Sequence, residues 1–96
     1  MSEAQKKKNQ CEKKFVIKNK LGLHARPAAL FVQLANRFKC EVEVLKGREK
    51  VNGKSIMGIM TLAAGAGTPI TVRTNGDDAA LAMEELSKLI LGNFGE

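Results

Sequence analysis

The spacing of apolar side chains divides the chain into short segments of changing period. Phe15 and Ile17 share one face of a run at residues 15–18, which predicts a short strand opening the folded part. Residues 19–23, with Gly22, form a loop. Pro27, Leu30, Phe31, Leu34, Ala35 and Phe38 then follow the spacing of an amphipathic helix. Pro27 belongs in its first turn, where the amide that proline lacks has no intrahelical partner. Cys40, Val42 and Val44 alternate with Glu41 and Glu43, as in a strand with one wet face. Residues 46–48 turn the chain into a second short strand ending near Val51, and Asn52-Gly53 is a turn signal. Ser55 stands as N-cap to a helix of about two turns over residues 56–62, which Gly65 and Gly67 end. Residues 69–74 are rich in Ile, Thr and Val and predict a last strand, broken at Asn75-Gly76. Asp77 or Asp78 caps a final helix whose buried stripe is Ala79, Met83, Leu86, Leu89 and Ile90, and Gly92 stops it.

The resulting order is strand, helix, strand, strand, helix, strand, helix. Its simplest packing is a two-layer α+β domain, a four-stranded and mostly antiparallel sheet with all helices on one face. With 96 residues, 44% of them hydrophobic and 27% charged, the chain suits one small core. No apolar run approaches the length of a membrane span and the first residues are polar, so neither membrane insertion nor secretion is expected and the cytoplasm is the expected location. Cys11 and Cys40 are too few for a disulfide scaffold. One histidine and scattered carboxylates give no metal-ligand pattern, so no metal and no cofactor is expected.

The formal charge of +6 raises nucleic acid as a partner, but its distribution weakens that reading. Residues 1–14 hold five lysines against two glutamates, a net of +3, with almost no apolar content. They are expected to be a disordered, solubilising basic extension, leaving residues 15–96 as the domain. The absence of Trp and Tyr removes the stacking platforms of a nucleic-acid binder, a small basic example of which is the reading from another class.

The candidate chemistry is at Gly22-Leu23-His24-Ala25-Arg26-Pro27, which sets the only imidazole at the start of a helix. The first amides of a helix are unpaired and its N-terminus is positive, so an anion on or beside His24 meets backbone donors. The Arg26 guanidinium fits phosphate oxygens, and a neutral imidazole is a nucleophile. From spacing alone, His24 is equally a plain helix cap and Arg26 a solvated charge. Ser55 has a sufficient structural reason in capping. The helix after it carries Ile56, Met57, Ile59 and Met60 and no charge, so some of these, Met57 and Met60 first, remain exposed as an adaptable apolar patch unless all four are core. Cys40 is expected in the core and Cys11 in the extension as an incidental thiol. Lys20, Arg48 and Lys54 either attract acidic partner surfaces or are simply solvated.

Two segments carry a resemblance. GLHARPA at residues 22–28 resembles the active-site signature of the histidine-containing phosphocarrier (HPr) family of the bacterial sugar phosphotransferase system, and KSIMGIM at 54–60 resembles its regulatory-serine signature, at the family's separation. The resemblance implies an open-faced β-sandwich of order βαββαβα, with sheet order 1-4-2-3 and three helices on one face. It implies that His24 takes a phosphoryl group on Nδ1 from enzyme I and passes it to an enzyme IIA domain, with Arg26 steadying the phosphoryl oxygens. It further implies regulatory phosphorylation of Ser55 by HPr kinase/phosphorylase, and a partner interface including Ile56, Met57 and Met60. Such a protein is a monomeric carrier that needs a partner enzyme for each transfer. A homologue serving mainly regulation in an incomplete phosphotransferase system is the alternative within the family.

Overall fold

The computed structural model describes residues 9–96. Strands β1 (Gln10–Val16), β2 (Glu41–Lys46), β3 (Glu49–Asn52) and β4 (Pro69–Asn75) alternate with helices α1 (Ala25–Ala35), α2 (Ile56–Thr61) and α3 (Ala79–Leu91), and a 3-10 turn spans Asn93–Gly95. The sheet is antiparallel in the order β1-β4-β2-β3. This is the α+β architecture expected from the sequence. Among the described residues no helix is long and apolar enough to cross a membrane.

Strand β4 is central, and its alternation organises the core. Ile70, Val72 and Thr74 point inward; Val72 lies opposite Lys13 on one side and Val44 on the other, and Thr74 opposite Cys11 and Val42. Phe31 and Ala35 from α1, Ile59 from α2 and Leu86 and Ile90 from α3 close over this face. The Thr74 hydroxyl, buried there, is satisfied by donating to the Ala79 carbonyl at 2.8 Å.

Four expectations need correction. The first strand begins at Gln10, so residues 10–14, assigned to the disordered extension, are part of the sheet, whereas residues 1–8 of that extension lie outside the described residues. Cys11 is accordingly half-buried in β1 rather than in a tail. The physical reason is position: β1 is an edge strand held by backbone pairing to β4, so its side chains need not be apolar, and exposed Lys13 and Lys14 suit an edge that must not recruit another strand. Glu12 faces Arg73 across the pairing, with Nε donating to Oε1 at 2.6 Å. The first helix ends at Ala35, short of Phe38, and Leu30, expected in its buried stripe, is exposed. Gly53, read from the sequence as half of a turn signal, is required by a close approach: a Cβ there would lie 2.5 Å from Val42 Cγ1.

The fourth correction concerns the cap of α3. Asp78 occupies the N-cap position, but its carboxylate makes no capping bond. Its two oxygens instead accept from the backbone N–H of Lys39 and of Cys40, both at 2.9 Å, clamping the segment that enters β2. The Lys39 amide, first among several donors, holds the Asp78 carboxyl below its usual range. A depressed folded-state pKa means the unfolded chain binds the proton more readily, so this contribution is complete above the ordinary carboxylate range and is lost as pH falls through the lower, folded value. Urea unfolding between pH 5 and pH 2 should therefore show an acid decline in stability that is shallower in Asp78→Ala than in wild type; parallel curves would exclude the clamp as its source.

Candidate functional site

The loop before α1 presents His24 through a short chain of local bonds. Gly22 N–H donates to Asn19 O at 2.9 Å, the Asn19 side-chain amide donates back to Gly22 O at 2.7 Å, and Leu23 N–H reaches across to Ala64 O at 2.8 Å. With Leu23 buried behind it, His24 takes the N-cap position of α1 in an extended conformation, and its carbonyl accepts the first helical bond from Ala28 N–H at 3.0 Å. His24 is the cap by position, but its ring makes no capping bond, so side-chain capping does not account for the imidazole. Pro27 is the third residue of the helix, as its missing amide allows, and the N–H groups of Ala25 and Arg26 belong to the unpaired first turn.

The imidazole is partly exposed, and its Nε2 lies 2.9 Å from Glu96 Oε2. The other carboxylate oxygen, Oε1, accepts from Asn19 Nδ2 at 3.0 Å. Arg26 is exposed, and among the described residues it has no carboxylate within ion-pair distance. His24, Arg26, Lys18, Asn19, Lys20 and Glu96 line one shallow depression, open to solvent. Three cations, a helix N-terminus and an imidazole nitrogen around an open bowl can accept a phosphoryl group and release it to a second molecule. Asn19 and Glu96 were not anticipated. Asn19 carried a turn signal beside Gly22, but Glu96 is 72 positions from His24 and no local pattern connects them.

The second site is at the neighbouring helix. Ser55 caps α2, its Oγ accepting from Gly58 N–H at 3.1 Å, and α1 and α2 pack against each other. The short helix divides its apolar residues: Ile59 and the following Leu62 are core, whereas Ile56, Met57 and Met60 are exposed, Met57 by 72%. Lys54 is not a solvated charge, since its Nζ donates to Phe38 O at 2.6 Å just beyond α1. Cys40 is buried in the core, and burial, then Asp78, pushes its thiol up to about 11, so it stays protonated and is no nucleophile.

Residues 11–91 match the family described as the PTS HPr component phosphorylation site. The chain is 58% identical over 78 residues to a phosphocarrier protein HPr of Neisseria meningitidis, covering 81% of this chain and 88% of that protein. Its fold superposes on the crystal structure of an HPr from Thermoanaerobacter tengcongensis with a TM-score of 0.87 at 50% identity, covering 90% of this chain and 97% of the other. It is also similar to Crh, the Bacillus subtilis catabolite repression HPr, with a TM-score of 0.62 at 48% identity over 83% of this chain and 95% of that one.

Proposed function

The chain belongs to the HPr phosphocarrier family of the phosphotransferase system, and from that premise we propose that His24 accepts a phosphoryl group on Nδ1 from phospho-enzyme I and passes it to enzyme IIA domains during phosphoenolpyruvate-dependent sugar uptake. The observation that carries this reading is the open bowl in which His24 stands at the N-terminus of α1 beside Arg26. A transferring phosphoryl group spreads charge over its equatorial oxygens, and the Arg26 guanidinium and the first-turn amides are the groups able to meet that charge. The bowl encloses nothing, so each transfer is completed by a partner that brings the other half of the site. In this reading the protein is a cytoplasmic, monomeric carrier, not an enzyme in its own right, with no resident cofactor; acceptor, guanidinium and apolar patch are all supplied by one chain. Ile56, Met57 and Met60 form the surface on which enzyme I docks.

The test is incubation of the protein with enzyme I and phosphoenolpyruvate. One acid-labile phosphate per chain, mapped to His24, is the expected result, and its absence would end the carrier reading.

Ser55 is proposed as the regulatory site of HPr kinase/phosphorylase. A phosphate of charge about −1.5 to −2 at a helix N-terminus is locally favourable. Placed beside Ile56 and Met57, it would repel an acidic partner and attract an arginine-bearing one. The kinase with ATP should add an acid-stable phosphate that Ser55→Ala lacks. The same substitution removes the cap and should cost about 1 kcal/mol in urea unfolding. Its likeness to the catabolite repression HPr favours a second reading, a mainly regulatory homologue in an incomplete phosphotransferase system. That reading requires the Ser55 phosphate without sugar-dependent turnover of phosphate on His24.

A further inference from the structure

The deeper question at His24 is which ring nitrogen is free. We propose that Glu96 is a positioning residue that holds the imidazole as its Nε2–H tautomer, so that the Nδ1 lone pair is the one presented to phosphorus; this role rests on the reading of His24 as phosphoryl acceptor.

An ionised carboxylate has no proton to give, so the 2.9 Å contact between Glu96 Oε2 and His24 Nε2 is a hydrogen bond only when Nε2 carries the hydrogen. In the neutral ring the other nitrogen is then the acceptor. Glu96 is itself aimed from two directions. Oε1 takes the Asn19 Nδ2 proton at 3.0 Å, and Asn19, only 5% exposed, is anchored in turn to Gly22 O. The Glu96 backbone is held by its N–H donating to Asn93 O at 3.0 Å, after a turn whose left-handed Phe94 (φ 57) is rooted in the core at 2% exposure. Such a position, with backbone and both carboxylate oxygens engaged, is what an orienting acid behind a histidine needs.

The bond also fits the transfer step. The Nδ1 pair forms the N–P bond while the bond from phosphorus to the donor breaks and its electron pair leaves with the donor. The Nε2 proton stays where it is. The ring therefore becomes cationic, and the Glu96 carboxylate lies against the nitrogen that keeps the proton, so charge develops in the ring where an anion already waits.

The tautomer is measured directly, without phosphorylation, from long-range ¹H–¹⁵N correlations of the neutral His24 ring at alkaline pH. Wild type should show one donor-type nitrogen at Nε2 and one acceptor-type nitrogen at Nδ1. Glu96→Ala should drift toward the mixture of a free imidazole, and Glu96→Gln, whose single amide oxygen must serve either the His24 or the Asn19 donor, should lie between Glu96→Ala and wild type. Single-turnover transfer from phospho-enzyme I should fall roughly three- to tenfold in Glu96→Ala, the size expected for a partly exposed charge-assisted bond. A protonated Nδ1 in wild type, or a tautomer ratio indifferent to Glu96→Ala, would overturn the proposal while leaving a carrier that still takes phosphate. A protein that holds the tautomer but takes no phosphate would sink the carrier reading and this role with it.

Discussion

His24→Ala is expected to take up no phosphate from phospho-enzyme I, and Arg26→Ala to take it up about 10²-fold more slowly than wild type. The first effect is total because the proposed acceptor is the chain's only histidine and neither described thiol lines its depression: Cys40 is buried and held protonated, and Cys11 lies half-buried in β1. The second is placed at the low end of what one transition-state donor contributes, since Arg26 is exposed and water shares its work. Neither side chain supports the core, so both variants should unfold at the wild-type urea midpoint. Rapid-quench measurements with radiolabelled phosphoenolpyruvate separate the two effects. An acid-labile phosphate persisting in His24→Ala would remove the acceptor assignment. An unchanged rate in Arg26→Ala would reduce that guanidinium to a surface charge.

Gly22→Ala is expected to be the most damaging small substitution in the chain. The residue has φ +67, and a Cβ built on it would lie 2.4 Å from the Ala64 carbonyl oxygen, the same oxygen that accepts the Leu23 N–H. Left-handed backbone costs an alanine about 1–2 kcal/mol, and a clash with backbone that cannot step aside adds about 1–3 kcal/mol. Against a typical total of about 5–15 kcal/mol, that is a large share. Gly47→Ala is the internal control, because Gly47 has φ +58 but open space where its Cβ would go, and should show the first cost without the second. Equal urea midpoints for the two variants would refute the steric account. Because Gly22 sits two residues before His24, the same variant should also slow phosphate uptake in the fraction that remains folded.

Much of the fold was legible from period alone. Val42 and Val44 against Glu41 and Glu43, the Ser55 cap, and the stripe through Met83, Leu86 and Ile90 all encode their surroundings locally, and each element formed where its pattern lay. The misses at β1, Asp78 and Glu96 share one cause, a partner remote in sequence. Residues 10–14 carry little apolar content because their strand is held through its backbone by β4, some sixty positions later. Asp78 looked like a cap because caps are local, yet its oxygens went to amides 38 and 39 positions away. At the proposed sites, the placement of His24 and Arg26 at the start of α1 and of Ser55 at the start of α2 was legible from helix-terminus signals. Glu96 was not, since nothing near it in sequence indicates an imidazole. The apolar patch was half legible: a charge-free two-turn helix must expose something, but only packing decides that Ile59 goes inward while Ile56 stays out.

The open face of the His24 bowl has a consequence for traffic. On the carrier reading proposed above, donor and recipient would both approach through that open face, so they could not be bound together and the phosphate would change hands only through dissociation. A partner that gripped this surface tightly would hold up the queue. Residence time, more than strength of association, would then set the throughput, and the proposed interface, with its two adaptable methionines Met57 and Met60 and a modest positive field, is suited to letting go quickly.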